Sequence, residues 1–237
     1  MKNSTKVIIN EINTYRDESK AAFLPRFFKT GKGEYGEGDQ FIGVVVPNLR
    51  IVAKKHFDAD FDTLRELLAS PYHEYRLTAL LALTYRYAKL KDHTSRETCV
   101  NFYVSQVDAI NNWDLVDLSC YKILGHWLFD KDKQLLYDWA KENHLWKQRI
   151  AIISCMHFVK QGEFKDALAI ADLLQHHPHD LIHKAVGWIL REIGKEDEQL
   201  LVDYLTPRYK EMPRTMLRYA IERFEEEKRK AFLNSTI

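Results

Sequence analysis

The sequence is short of long apolar runs, of cysteine and of net charge, and each shortage removes a class of protein. No apolar stretch approaches the roughly 20 residues that cross a bilayer, so a transmembrane helix and a membrane partner are excluded as organising features. The three cysteines, Cys99, Cys120 and Cys155, are odd in number and widely spaced. They suit buried reduced thiols better than a disulfide framework. Residues 1–10 are too polar for a secretory signal, and the expected location is cytoplasmic. With 35 Lys and Arg against 34 Asp and Glu, the formal charge is only +1. A polyanion partner must therefore be argued from where the charges sit, not from how many there are.

Glycine is also sparse, and five of the nine glycines fall between Gly31 and Gly43. That segment cannot be a regular helix. It carries neither GxxxxGK[ST] nor a GxGxxG leading from strand to helix, so it is not a nucleotide loop. No GxSxG elbow marks a serine hydrolase. His176, His177, His179 and His183 resemble a metal cluster, but no HExxH or cysteine pair accompanies them. Neither a metal site nor a cofactor is expected.

What is present is helical text. Hydrophobic residues make up 46% and charged residues 29% of 237, enough to bury a continuous core. Leu64, Leu67 and Leu68 read as one helical face ended by Ser70 and Pro71, and Leu77, Leu80, Leu81, Leu83, Thr84 and Tyr87 as another. Polar breaks recur near residues 130, 143, 162, 177 and 196. No stretch alternates with period two between turns, so strands are not expected. A short polar-to-apolar register begins at Arg76, Asp117, Arg149 and Lys184, at intervals of 41, 32 and 35 residues. Each interval holds one helical hairpin. The expected fold is all-α: a single domain over residues 1–237, built as an α-solenoid of HEAT-like hairpins forming a curved superhelix. Asp117, Arg149 and Lys184 would stand at or near helix N-terminal turns, where unpaired N–H groups attract phosphate.

The most unusual segment is Asn112-Trp113-Asp114-Leu115-Val116-Asp117. On a helix, Trp113 and Asp117 share a face, whereas Asp114 points about 100° away. Asn112 or Asp114 suits a helix cap. An indole beside a carboxylate one turn on suits a sugar ring or a developing cation. Trp188 follows Gly187 inside a helical pattern, and glycine there suggests close approach, most simply by another helix. The run from Glu225 to Lys230 reads as a solvated helix end.

Four blocks in this order resemble the DNA alkylation repair family typified by AlkD glycosylases. They are residues 27–44 with Pro47, Asn-Trp-Asp-Leu-Val-Asp at 112–117, Trp-Lys-Gln-Arg at 146–149 and Lys-Ala-Val-Gly-Trp-Ile-Leu-Arg-Glu at 184–192. The resemblance spans about residues 20–220 and implies the same HEAT-like superhelix. It implies Asp117 as the catalytic carboxylate, Trp113 and Trp188 as contacts to the sugar and backbone of the lesion nucleotide, and Arg149 as a DNA-binding residue. Lys184 is expected as a further DNA-backbone contact from its place near a helix N-terminal turn. Phe27 stands where some active members carry Tyr, and Val45 where they carry Gln. The implied activity is that of a monomeric, cofactor-free glycosylase acting on cationic N3- or N7-alkylpurines in double-stranded DNA, without a base-flipping pocket. The alternatives are a non-catalytic binder of damaged or branched DNA on the same scaffold, and a HEAT-type protein-interaction scaffold.

Overall fold

A computed structural model describes residues 4–237 of the protein. The first three positions of the polar opening segment lie outside the described residues. From Thr5 onward that segment is a helix, Thr5–Asn13, which buries Ile8 and Ile12. Every regular element among the described residues is helical; the one β-bridge pairs Gln40 with Tyr72 in isolation.

Aspartates set several helix starts. Asp17, Asp60, Asp92 and Asp197 each accept the backbone N–H three residues on, from Lys20, Thr63, Ser95 and Leu200. A cap of this kind contributes about 1 kcal/mol by satisfying a donor the helix leaves open. The fold is an all-α helical repeat, and its helices gather into two compact units that meet in sequence between Ile123 and Leu124.

In the first unit the centre is helix His73–Lys89. Thirteen of its 17 residues are buried, which places it inside the unit and not on a face. Val46–Lys55 and Phe61–Leu68 pack on it, and Thr5–Asn13 packs on both of those. Phe61–Leu68 buries Leu64, Leu67 and Leu68, the face read from the sequence. His93–Ser105 and the short helix Trp113–Asp117 complete the unit. Residues 31–38 form consecutive turns and bends, and residues 39–45 stay irregular apart from the Gln40 bridge. Gly43 has φ +83°, and a Cβ there would lie 1.9 Å from the Asp17 carbonyl oxygen. Both facts confine the position to glycine.

The second unit is organised around Asp180–Glu196. It packs against Leu145–Ser154, Lys165–Leu174, Glu198–Leu205 and Arg214–Ala220. Gly187 allows the close approach of Arg214–Ala220, since an added Cβ would meet the Met216 carbonyl oxygen and Tyr219 Cβ at 2.5 Å. Another helix is the visitor, as expected. The chain ends in Glu226–Asn234, whose first turn is exposed. Cys99, Cys120 and Cys155 are buried and unbridged. No helix among the described residues is long and apolar enough to cross a membrane.

Candidate active site

Trp113 and Asp117 are the first and last residues of one five-residue helix, so Asp117 stands at a helix C-terminal end and not at the N-terminal turn expected from the repeat register. Four residues of helix place them about 6 Å apart along the axis and on the same side. Both are half-buried. A turn this short has little stability of its own, so its position depends on what holds it.

The cap is Asn112, whose Oδ1 accepts the Trp113 N–H at 2.9 Å. Asp114 is not a cap. Its carboxylate is buried 2.9 Å from Nε2 of His73, and its other oxygen has no partner among the described residues. The expectation that Asp114 could cap fails because the partner comes from another helix, beyond the reach of local reading. On its other side, His73 Nδ1 lies 3.2 Å from Asp39, at the end of the glycine-rich turns. Arg76 donates to the second oxygen of Asp39 at 2.6 Å, and Asn112 Nδ2 reaches the first at 3.3 Å. Two carboxylates and two cationic side chains thus form a buried quartet with balanced charge, the condition under which ions are retained away from water. Burial alone would lower the His73 pKa, but Asp114 and Asp39 outweigh it and raise the group to about 9. Burial alone would raise Asp39, yet His73 and Arg76 hold it below the usual carboxylate range.

Aromatic rings continue from this quartet to the site. His73 lies 4.8 Å from Phe28 and 5.0 Å from Phe41, centroid to centroid. Phe28 in turn stacks with Phe41 at 5.0 Å and 20° and with Trp113 at 5.5 Å and 14°. Phe27 meets the Trp113 edge at 6.0 Å and stacks with Phe23, and both phenylalanines are exposed. Gly36 lets the turns close over this stack, since a Cβ there would fall 2.5 Å from the Phe28 carbonyl oxygen.

Two further groups hold the surroundings. Glu74 Oε1 accepts three successive backbone N–H groups, from Ile42, Gly43 and Val44, at 2.8–3.3 Å. Burial pushes its carboxyl up, and the N–H donors offset only part of that. Beyond Asp117, Ser119 lies 3.1 Å from the hydroxyl of the fully buried Tyr103. Burial raises the Tyr103 pKa well above its ordinary value, with the nearby Asp117 charge adding to it.

Arg149, Lys184 and Trp188 belong to the second unit. Arg149 is the fifth residue of Leu145–Ser154, buried, and donates to the Leu181 carbonyl oxygen. Lys184 is the fifth residue of Asp180–Glu196 and pairs with Asp180 at 2.7 Å. Trp188, one turn later, is half-buried and donates from Nε1 to Glu192 at 3.2 Å. The same fifth position holds Arg50 in Val46–Lys55 and Arg218 in Arg214–Ala220, two cations that the sequence reading passed over. The histidine-rich segment is a helix start. His179 Nδ1 accepts the Leu181 N–H at 3.1 Å, and His177 pairs with Gln148 at 2.9 Å. Among the described residues no group of His, Cys, Asp or Glu is arranged to hold a metal ion.

Sequence reasoning missed His73, Asp39 and Glu74. Its signal was available, because His73, Arg76 and Leu80 share one face of an apolar helix, and polar groups on such a face need buried partners.

A search of the curated proteins returned no match. Among solved structures, the fold is similar to that of a protein described as a predicted DNA alkylation repair enzyme from Enterococcus faecalis. The TM-score is 0.68 at 14% identity, covering 89% of this chain and 97% of that one. It is also similar to AlkD2 from Streptococcus mutans, with a TM-score of 0.54 at 16% identity over 88% and 99% of the two chains. At these identities the likeness concerns the fold. The family itself is shown by the sequence profile described as DNA alkylation repair enzyme, which matches residues 8–224, and the chain belongs to that family.

Proposed function

We propose that this protein hydrolyses the N-glycosidic bond of purines alkylated at N3 or N7 in duplex DNA. The observation that carries the reading is the division of labour between two carboxylates of one short helix. Asp114 is committed to His73 in the interior, while Asp117 stands half-buried on the side of the Trp113 indole.

One carboxylate suffices for this substrate. An N-alkylated purine is already cationic and leaves as a neutral base when its bond to C1′ breaks, so no acid is needed for the leaving group, unlike ordinary glycoside hydrolysis. Asp117 stabilises the positive charge that develops on the sugar and accepts a proton from the water that attacks C1′. The Trp113 ring face adds its quadrupole to that stabilisation. From the second unit we propose Trp188 as a nucleotide contact and Arg149 and Lys184 as DNA-backbone contacts, acting as a monomer in the cytoplasm and without a cofactor. An excision assay on duplex DNA containing N7-methylguanine tests the reading. Time-dependent release of the base is expected, and its absence at enzyme excess overturns it.

A further inference from the structure

The catalytic reading explains Trp113 and Asp117 but leaves the quartet beneath them without a role. A structural anchor would satisfy its groups with any apolar filling of the same volume, since buried ion pairs are weak sources of stability. Besides the bond from the cap residue Asn112 to Asp39, this quartet has two connections to the same five-residue helix that run through His73. One is the bond from His73 Nε2 to Asp114, at 2.9 Å. The other is aromatic: the His73 ring lies tilted against Phe28 at 4.8 Å, and Phe28 stacks on the Trp113 indole. Both connections start from a single ring that is 2% exposed.

We propose that His73 is the positioning residue of the Trp113–Asp117 turn: its ring, bonded to Asp114 and packed against the Phe28 ring that stacks on Trp113, sets where the indole and Asp117 stand. Asp114, together with the Asn112 cap, holds the backbone of the turn, and Phe28, together with the Phe27 edge contact, holds the indole plane. His73 fixes the two relative to each other. The proposal rests on the glycosylase reading for its kinetic readout and is independent of it for its structural one.

The charged and titratable groups that face His73 are Asp39 from the glycine-rich turns, Asp114 from the short helix, and Glu74 and Arg76 from its own helix. Both ring nitrogens meet carboxylates, so the bridge needs a proton on each. The protonated ring, held up to a pKa of about 9, meets that need at neutral pH.

Two measurements decide the matter. In the first, the His73 ring nitrogens and the Trp113 indole N–H are followed by NMR from pH 6.5 to 10, the indole being assigned by its loss in Trp113→Phe. The Trp113 signal is expected to move with the His73 titration. A Trp113 signal that stays still while His73 titrates, or a ring that is neutral throughout, overturns the proposal. In the second, His73→Gln and His73→Leu are compared with wild type in single-turnover excision of N7-methylguanine, at a temperature where circular dichroism shows both folded. Gln retains one donor toward Asp114 and is expected to lose about 10-fold in rate, Leu about 100-fold, the scale of an ångström of misplacement. DNA affinity should stay within about 3-fold of wild type, so the loss falls on the chemical step. Wild-type rates in the folded variants overturn the proposal. If the variants do not fold, the wild-type titration decides alone. If wild type releases no base while Trp113 still follows His73, the positioning role stands and the glycosylase reading falls.

Discussion

His73 and Asp114 lie 41 residues apart and meet at 2.9 Å between the Nε2 and carboxylate atoms, inside the first unit. The contact makes a neutral-pH property of the protein depend on one proton. The His73 pKa is raised to about 9, above the usual 6.5. The associated stability is therefore complete below about pH 6.5 and is lost as pH rises through 9. The raised value corresponds to a difference on the order of 3 kcal/mol. Urea unfolding at pH 6.5 and 9.5 should show stability falling with pH, and the slope should flatten in His73→Gln. An unchanged midpoint across this window would contradict the assignment of a charged ring.

The two carboxylates of the short helix should separate cleanly. Asp117→Asn is expected to keep the melting temperature and DNA affinity near wild type. Release of N7-methylguanine should fall by roughly two to four orders of magnitude, the range for losing an electrostatic or general-base group. Asp114→Ala removes one member of a buried pair, and about 3–5 kcal/mol of stability should go with it. Full excision by Asp117→Asn would remove Asp117 from the mechanism.

Arg149 and Lys184 stand at the same helical position with opposite exposure, and their alanine variants should differ accordingly. Lys184→Ala should weaken DNA binding, reduce its salt dependence and leave the melting temperature unchanged, because the Lys184–Asp180 pair is exposed. Arg149→Ala should weaken binding and also lower the melting temperature, because it removes a buried side chain and its bond to the Leu181 carbonyl. Filter binding at two salt concentrations together with thermal melts distinguishes the two patterns. An Arg149→Ala variant of unchanged melting temperature would show that the Leu181 contact contributes no stability.

Gly43→Ala should destabilise by at least about 2 kcal/mol, combining left-handed backbone strain with a collision at the Asp17 carbonyl. Gly38→Ala is the control. Its φ is +89° but nothing lies within 4 Å of the added carbon, so only the strain component should appear. Equal losses in the two variants would deny the close contact.

Helix existence was legible in the sequence wherever apolar spacing and a breaker coincided, as at Leu64, Leu67 and Leu68 before Pro71. So was the irregular glycine-rich segment, and the four family blocks pointed to the right family. The content of the site was less legible, because its links are long-range. Asp114 looks like a cap to any local reading, and its actual partner lies on a helix that starts 41 residues earlier. Arg149 reads as a helix-start cation suited to a salt bridge with a neighbouring helix or to a phosphate. Its burial follows from the neighbouring helix Asp180–Glu196, whose first turn carries Leu181. Residue types mark which side chains can do chemistry, and only packing decides which of them are spent holding the others.

Glu74 gathers three consecutive N–H groups of residues 42–44, and its neighbour His73 takes Asp39 at the other end of the same stretch. In the unfolded chain these groups are solvated separately, and bringing them together closes loops of about 30 residues before any of the bonds can form. Contacts of that sequence separation carry loop-closure entropy that slows their formation in folding. On the function proposed above, a chain in which this loop has not closed lacks the frame that orients the Trp113–Asp117 turn, and reactivity toward DNA bases is tied to closure of the first unit.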